Sequence, residues 1–511
     1  MQQTCQITNQ PFEISEQEQE FMKKIQLPLP RLSPQMREIS RLAFRNERNL
    51  HMRKCSATGE KILSVYSEAQ PFPVYKYDYW LSDEWNVPEL EYDFNKSFFE
   101  QYQKLQRITP KPNSFSPYNE NCDYVNAAEK NKNCYMHILS DRCQDCLYTH
   151  GIFASNDCID CAYINECELC YECTDCRSCY HCRYCFLCDN SSELSFCFDC
   201  RGSQDCFFCD GLRNQRYCFF NEQLSEIEYK ERLSGIDFTS HEQMQKYLEK
   251  FIKEILKSHP YIRMINNENS DGNFLINTKN CHQCYDVEDS QDCFYVRVGA
   301  NGLQDVHHTH AVVDGSELIY GNVSTTESYN CHNVIGCWTT KDSCYSEFLQ
   351  GCQYCMGCIS LRRRKHCILN KQYSPEEYEN IRQQIINEMG ENFGAPFPLS
   401  LAPFSYMESA YSDYHDLSEG QIASIGWTYG KKPETQSTAQ GQPTATLPDS
   451  TIKASSETIS KVYICEKSSK PYKIISQELT LLKKIKAPLP HLQHEERFQN
   501  RVRFRKTATS Q

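Results

Sequence analysis

The most regular feature of the chain is a repeat of uncharged positions every three residues from Cys122 to Cys218. This segment holds 19 cysteines, and every spacing between them is a multiple of three. Counted to Asn221, the frame has 34 positions, and the 15 that are not Cys include no Asp, Glu, Lys or Arg. Because charged residues make up 24% of the chain, about eight would be expected there. The frame is therefore predicted to face away from solvent.

A period of three fits neither an amphipathic helix, with a period of 3.6, nor a half-buried strand, with a period of 2. A coil of short rungs fits better, with Cys and other small residues along its inner line. The same spacing returns in pieces, from Cys281 to Cys293 and from Cys331 to Cys367. We therefore predict a mixed α/β repeat protein with two Cys-rich β-solenoid-like domains; the pattern does not give the rung length.

Each cysteine block ends in the same predicted cap. Cys206 to Tyr229 aligns with Cys355 to Tyr378 at a shift of 149, with 10 identities over 24 positions. In both copies a Ser is followed three residues later by Glu, which predicts a capping box and a helix (Ser225/Glu228 and Ser374/Glu377). Between the blocks, apolar residues at helical spacing after Ser240 predict an amphipathic helix that ends before Pro260.

The two termini are copies of one another. Residues 5–45 align without a gap onto residues 465–505, with 16 identities over 41 positions. In the first copy Ser15 and Glu18 are spaced as a capping box, and the helix that they open is predicted to stop before Pro28. The chain therefore carries a duplicated terminal module.

These patterns divide the chain into eight segments. The predicted order is an N-terminal degenerate zinc-ribbon-like module (1–90), a connector (91–118), the first Cys-rich block with its helical cap (119–235), a linking amphipathic helix (236–264), the second Cys-rich block with its cap (265–390), a connecting segment (391–430), a flexible linker (431–460) and the C-terminal copy of the first module (461–511).

Composition limits the compartment and the partners. The first residues lack the features of a secretory signal, and no apolar run approaches the length of a membrane span, which predicts a cytoplasmic protein with no membrane partner. A reducing cytosol disfavours disulfides, so the 32 cysteines are expected as metal thiolates or buried free thiols. A net charge of −13 argues against nucleic-acid binding over the whole surface.

Seven C-x-x-C pairs are candidate zinc ligands, because that spacing lets two thiolates reach one tetrahedral Zn²⁺. The pairs are Cys143/Cys146, Cys158/Cys161, Cys167/Cys170, Cys197/Cys200, Cys206/Cys209, Cys281/Cys284 and Cys355/Cys358. The residues that replace Cys in the frame are mainly Ser, Ala, Val, Ile, Leu and Thr, which favours buried packing instead. A structural thiol ladder and zinc sites both stay open, with iron–sulfur or redox chemistry as a third alternative.

Two further features have a functional and a structural interpretation. His308 and His310 would share one face of a strand and could bind a metal, or they are surface histidines of a solvated strand. Residues 31–54 hold seven Lys/Arg against two Glu, and residues 483–506 hold eight against two. These segments are either an RNA or acidic-partner contact or a solvated helix face.

No nucleotide-binding loop, zinc-protease motif or nucleophile elbow occurs in the sequence. We therefore expect a non-enzymatic scaffold or macromolecule-binding protein, with zinc as the cofactor to test and a protein partner favoured over nucleic acid. The alternative is a thiol-based metal-storage or redox protein, and a weaker one is an RNA-associated factor that uses the basic termini.

The chain resembles an uncharacterised cysteine-rich, CxxC-repeat family of candidate-phyla bacteria with reduced genomes. The resemblance spans nearly the whole chain and is carried by RLAFRNERNLHMRKC, the C-x-x-C blocks, the C-x-x-N-x-Q-x-S caps and the KK-I-x-x-PLP terminal copies. It implies flanking modules of the treble-clef or zinc-ribbon kind. This sequence keeps Cys5 and Cys55, whereas other residues stand where that family pattern would place further cysteines: Thr8, Ser33, Met36, Thr58, Lys76 and Tyr79.

Overall fold

The structure is a computed structural model that describes residues 1–431 and 440–509 of the chain. It is a mixed α/β protein with two compact units. Among the described residues, unit 1 comprises 1–114 with 262–431, and unit 2 comprises 115–261 with 440–509. Unit 1 therefore combines the second cysteine block with the N-terminal module. Unit 2 combines the first cysteine block with the C-terminal module.

Unit 2 is built on a run of turns that stack in parallel, which we call the first stack (residues 118–221). Parallel bridges join each outward position to the position twelve residues later, as in Gln144 to Asn156 and Asn156 to Glu168. Its strands are Asn126–Glu129, Tyr135–Asp141, Leu147–Phe153, Ser192–Ser195, Gln204–Phe207 and Arg216–Phe219, and strand Glu222–Gln223 pairs antiparallel with the last of them. The turn length that the sequence pattern left open is therefore twelve residues.

The backbone explains the period of three. In the first stack every third residue has a positive φ, for example Asp157 at 51°, Asp160 at 55° and Tyr163 at 53°. A residue in this left-handed region bends the chain where a strand would continue straight. The residue after each bend carries the inward side chain, so four triplets complete one twelve-residue turn.

Unit 1 contains the second stack (residues 264–370), whose strands belong to an 11-stranded sheet. They are Met264–Ile265, Gly272–Lys279, Cys284–Ala300, Gln304–Val313, Glu317–Tyr320, Val323–Thr326, Tyr329–Trp338, Cys344–Glu347, Gln353–Met356, Lys365–Ile368 and Lys371–Gln372. Most pairs have an offset of twelve, but Gln291 pairs with Gln304 and Gln304 with Glu317. These turns of thirteen residues shift the frame, which is why the cysteine spacing returns only in pieces.

Each thirteen-residue turn takes its extra residue at a dipeptide with two positive φ angles. These are Asn301-Gly302, with φ of 65° and 83°, and Asp314-Gly315, with φ of 56° and 66°. Consecutive left-handed residues are the geometry that Asn-Gly and Asp-Gly favour. Because Asn301 Nδ2 donates to Asp314 Oδ1 at 2.8 Å, the extra residue of one turn lies against that of the next.

The duplicated terminal module is a β-hairpin followed by two helices. In the first copy the strands are Gln2–Thr4 and Pro11–Glu13, and the helices are Glu16–Lys24 and Pro34–Leu42. In the second copy the strands are Tyr463–Ile464 and Pro471–Tyr472, and the helices are Ser476–Ile485 and His494–Thr509. The predicted first helix is confirmed: Ser15 Oγ accepts from the Glu18 N–H at 3.1 Å, and the helix ends before Pro28.

The predicted caps are also present. Ser225 and Ser374 each form a capping box, and they open helices Glu226–Ser234 and Pro375–Met389. The amphipathic helix between the blocks runs over His241–Phe251 from its N-cap Ser240 and continues as a π-turn over Ile252–Leu256. The two cap helices followed from cap chemistry at the helix start, and the amphipathic helix followed from its apolar spacing.

The predicted flexible linker differs from the structure in its second half. Residues 432–439 lie outside the described part of the chain. Residues 440–460 contain strand Gln442–Pro443, the short 3₁₀ helices Thr444–Thr446 and Thr451–Lys453, and helix Ser456–Ser460. Leu447 and Ala454 are buried in unit 2, so this polar segment still contributes apolar packing.

The remaining elements belong to unit 1. They are strands His51–Lys54, Lys61–Ser64, Val74–Tyr75 and Lys111–Pro112, helices Tyr77–Leu81, Phe98–Ile108, Tyr411–Tyr414 and Glu419–Ser424, and the 3₁₀ helices Gly390–Asn392, Leu399–Leu401 and Tyr406–Glu408. In the part of the chain that the structure describes, no helix has both the length and the apolar character needed to cross a membrane.

Candidate functional site

The interior of the first stack is lined by thiols. Its cysteines from Cys134 onward are buried, Cys122 in the first turn is partly exposed, and Ile152, Ile164 and Leu194 complete the cluster. Each of the 32 cysteines of the chain is a free thiol. Most of the frame predicted to face away from solvent does so, whereas Gln215 and Asn221 near its end are exposed. The buried cysteines and apolar residues of the frame form one continuous core.

Each inward thiol of the first stack donates a hydrogen bond to a backbone carbonyl. Cys161 Sγ, for example, lies 3.4 Å from Ile159 O and 3.4 Å from Cys170 O. Serine does the same where it replaces cysteine, since Ser191 Oγ lies 2.8 Å from Asp189 O and 3.5 Å from Cys200 O. The acceptors are the carbonyl two residues earlier and the carbonyl nine residues later along the chain, and thiol and hydroxyl contact them in the same way.

Inward side chains also accept from the backbone of the next turn. The N–H of Cys167 donates to Ser155 Oγ at 3.1 Å, and that of Asn221 donates to Cys209 Sγ at 3.3 Å. The second stack repeats the arrangement, with Leu349 N donating to Cys337 Sγ at 3.4 Å. A buried N–H left without an acceptor is costly. Cys, Ser and Asn at these positions therefore satisfy backbone groups that an aliphatic residue would leave unpaired.

All seven C-x-x-C pairs are brought together. The two members occupy adjacent inward positions of one turn, and their thiols lie close enough to shift each other's pKa in every pair, from Cys143/Cys146 to Cys355/Cys358. Among the described residues, however, no group of three or more His, Cys, Asp or Glu side chains is arranged to hold a metal ion. The structure thus brings the two thiols of each pair together, and zinc binding by these pairs stays a prediction.

Thiols one turn apart are also in contact, so they form columns along the stack. The longest column contains six members in unbroken succession, Cys122, Cys134, Cys146, Cys158, Cys170 and Cys182, before Leu194 interrupts it. A second column contains Cys161, Cys173, Cys185, Cys197 and Cys209. In the second stack the corresponding contacts are the isolated pairs Cys281/Cys293 and Cys355/Cys367.

The two candidate metal-binding histidines are buried, and their side chains contact different carboxylates. His308 Nε2 lies 2.9 Å from Glu18 Oε1, whereas His310 Nε2 lies 3.5 Å from Glu47 Oε1. His308 has a φ of 52°, so the chain bends at this residue and the alternation of a straight strand does not apply. Burial lowers the pKa of His308 to about 3 and that of His310 to about 4, and both imidazoles are neutral at neutral pH.

Buried ion pairs hold the second terminal module in unit 2. Asp160 is fully buried in the first stack and pairs with Arg497 and Arg501; the Arg501 Nη1 to Asp160 Oδ1 distance is 3.1 Å. Arg497 also lies 3.1 Å from Glu478. Arg501 further pairs with Glu172 at 3.1 Å, and Arg505 pairs with Asp175 at 3.0 Å. Burial raises the pKa of Glu478 to about 7 and likewise that of Glu172, in opposition to the neighbouring arginines.

The first terminal module uses the equivalent residues in unit 1. Arg37 pairs with Glu18 and donates to the Tyr320 hydroxyl at 3.3 Å, and Arg45 pairs with Glu47 at 2.5 Å. Although burial raises it, the pKa of Glu18 is held well below its usual range by Arg37 and His308. Glu18 is thus ionised, whereas the equivalent Glu478 in the second copy is easily protonated.

These arginines account for much of the basic character of the termini. Arg37, Arg41, Arg45, Arg497, Arg501 and Arg505 are all buried. They stand among the 16 identities between the two module copies, as do Glu18 and Glu478. Identical charged residues in two otherwise divergent copies are the sequence signal for this buried docking role.

Single cysteines remain where the resemblance implies zinc knuckles. Cys5 is buried beside Thr8 and Ser33, and hydrogen bonds from them outweigh burial and lower the pKa of this thiol to about 7. The Lys76 N–H donates to Cys55 Sγ at 3.4 Å. Hydrogen-bond donors thus lie beside the sulfur of both Cys5 and Cys55.

Comparisons with known proteins do not identify a family for this chain. No protein-family model matches the chain, and no curated protein matches it. Among solved structures, one described as a putative acetyltransferase from Desulfovibrio desulfuricans G20 is similar over 52% of this chain and 69% of that chain, with 8% sequence identity and a TM-score of 0.12. A likeness this weak is no basis for assigning a fold or an activity.

Proposed function

We propose that this protein is a non-enzymatic scaffold, built on two Cys-lined β-solenoids, that binds another macromolecule along its outer rows of side chains. The observation that supports the proposal most directly is the use of the inward side chains. Their thiols and hydroxyls are buried and hydrogen-bonded to the backbone, as at Ser155 and Cys161. The inward side chains therefore stabilise the coil, and the exposed outward side chains are those that a partner can contact.

One row of outward positions is exposed and mostly polar. Gln144, Asn156, Glu168 and Tyr180 occupy the same position in four successive turns of the first stack and are all exposed. At a neighbouring corner, Asn121 Nδ2 donates to Asn133 Oδ1 at 2.8 Å. Strands of a sheet lie about 4.7–4.9 Å apart, so such a row offers one polar group per turn to an extended partner.

A photo-crosslinking amino acid at Tyr180 tests the binding role. If the proposal is right, Tyr180 crosslinks one macromolecule reproducibly in cells that produce the protein. The matched control replaces Ile227, which is 78% exposed on the cap helix and outside the rows. Equal labelling of many proteins from both positions would contradict the proposal.

Thiol reactivity separates the scaffold from the thiol-redox alternative. A scaffold predicts slow native thiols that all become reactive on denaturation, because only the exposed thiolate is a fast nucleophile. Fast labelling of a buried C-x-x-C pair such as Cys206/Cys209 in the native protein would instead favour redox chemistry. Zinc in these pairs stays a prediction, which elemental mass spectrometry of the tag-free protein checks. The RNA alternative now depends on basic residues other than the six buried arginines.

A further inference from the structure

The six-thiol column of the first stack has a geometry suited to a soft monovalent metal. Its members are spaced by one turn, and turns of a parallel sheet lie about 4.7–4.9 Å apart. Two Zn–S bonds of about 2.3 Å placed end to end span about 4.6 Å, and a two-coordinate monovalent ion makes slightly shorter bonds. A metal ion between two successive thiols would thus be bound linearly by two sulfurs, with the side chains drawn slightly together and the turns left in place.

Two-coordinate binding does not need the tetrahedral set that the described residues lack. Zn²⁺ in structural sites takes four ligands, whereas Cu(I) is the common biological ion selected by soft thiolates. We propose that the thiol columns of the first stack bind Cu(I) in a row, each ion bridging thiols one turn apart. This inference does not depend on the scaffold function, since the outer rows take no part in it.

The column from Cys122 to Cys182 determines how many Cu(I) ions are bound and where they enter the stack. Its six thiols leave five gaps, so it holds about five Cu(I) ions. Each ion that enters displaces one thiol proton to solvent, which leaves the charge of the interior unchanged; the sixth thiol keeps its proton and acts as a neutral donor. Cys122 is the partly exposed member, and it stands at the end of the column where an ion can enter.

The second stack provides an internal comparison. Its thiols one turn apart form only isolated pairs, because Val, Ser and Leu occupy the neighbouring inward positions. Cys331 is buried and its Sγ lies 3.3 Å from Tyr329 O, like the thiols of the first stack, but Ser343 stands at the next position of its column. Long rows of copper are therefore specific to unit 2.

The experiment is an anaerobic titration of the reduced full-length protein with Cu(I), in competition with bicinchoninate, read by bound copper per chain. Cys158→Ser interrupts the six-thiol column in its middle and is expected to lower the copper content by about two ions, because two gaps lose a sulfur. Serine keeps the backbone hydrogen bonds, as Ser155 does in the adjacent column. Circular dichroism of each variant verifies that the fold is retained.

Cys331→Ser is the matched control and is expected to leave the copper content unchanged. Cys122→Ser is expected to remove about one ion and to slow loading of the rest. The proposal is overturned if the native protein holds no Cu(I) against the chelator, or if Cys158→Ser and Cys331→Ser lose equal amounts. Retention of Zn²⁺ in place of Cu(I) would overturn it as well, since zinc requires a ligand set of a different shape.

Discussion

The N–H of Cys167 donates to Ser155 Oγ, 3.1 Å away and one turn earlier in the first stack. The same hydroxyl donates to Phe153 O at 2.8 Å. One small side chain thus satisfies a backbone donor of the next turn and a backbone acceptor of its own turn. This relationship explains why the inward frame selects Cys, Ser and Asn rather than aliphatic residues alone.

Ser155 provides a direct test of this explanation. Ser155→Ala leaves the Cys167 N–H without its acceptor in a fully buried site, and we expect a loss of about 1–3 kcal/mol in the free energy of unfolding. Ser155→Cys keeps both hydrogen bonds and should remain within about 1 kcal/mol of the native protein. Urea denaturation of the three proteins makes the comparison. Equal losses for Ala and Cys would show that hydrogen bonding does not decide this position.

The glycines of the thirteen-residue turns provide a second prediction. Gly315 has a φ of 66° and open space around its missing Cβ. Gly315→Ala should cost about 1–2 kcal/mol in unfolding free energy, because an L side chain is disfavoured in the left-handed region. Gly235 also has room for a Cβ, at 3.7 Å from Arg232 O, but its φ is −77°.

Gly235→Ala is therefore the control and is expected to be neutral or slightly stabilising. Urea midpoints of the two variants against the native protein give the answer. A neutral Gly315→Ala would mean that the extra residue of this turn is not held in the left-handed conformation in solution.

Much of the repeat architecture could be predicted from the sequence, but its dimensions could not. The triplet frame identified most of the inward positions, because every turn of the stack presents the same kind of residue inward. For the same reason the pattern could not reveal how many triplets make a turn. The frame shifts in the second block were signalled by Asn301-Gly302 and Asp314-Gly315, which are recognised turn dipeptides, and the sequence analysis overlooked them.

The histidine prediction assumed a straight strand. His308 lies at a bend, so it and His310 contact different carboxylates. The partner of each terminal module was likewise beyond pattern analysis, because contacts such as Arg37 with Tyr320 join residues 283 positions apart. Only the charged identities between the copies, such as Arg37/Arg497, indicated that these residues form equivalent buried ion pairs.

The arginine pairs predict a large effect from one substitution. Arg501→Met removes the guanidinium contacts to Asp160 and Glu172, which leaves the fully buried Asp160 with Arg497 alone and Glu172 without this ion-pair partner. We expect a loss of about 3–5 kcal/mol in the stability of unit 2, as is typical when one member of a buried ion pair is removed. Lys470→Met, at an exposed position of the same module, should cost less than about 0.5 kcal/mol. Hydrogen–deuterium exchange of helix His494–Thr509 measures the loss, and equal protection in both variants would contradict the docking role.

The two module copies should respond differently to pH. Burial raises the pKa of Glu478 to about 7 despite Arg497, and Asp160, Tyr148 and Tyr472 are the other ionisable groups near it. An ordinary Glu titrates near about 4.3, so the folded state binds the proton more tightly than the unfolded state. The stabilising contribution of Glu478 is therefore complete below that value and is lost as the pH rises through about 7. Glu18 has a lowered pKa, so its contribution is present throughout this range and is lost only in acid.

Hydrogen exchange at about pH 5.5 and about pH 8, corrected for the intrinsic exchange rate, measures this difference. We expect the second module to lose protection at the higher pH, whereas the first module does not. Glu478→Gln removes the titrating carboxyl, so it should reduce the pH dependence of the second module, with Glu172 supplying what remains. Glu18→Gln should lower protection of the first module equally at both pH values, because the carboxylate that it replaces is ionised at both. If Glu478→Gln leaves the pH dependence of the second module unchanged, the buried carboxylates are not its cause.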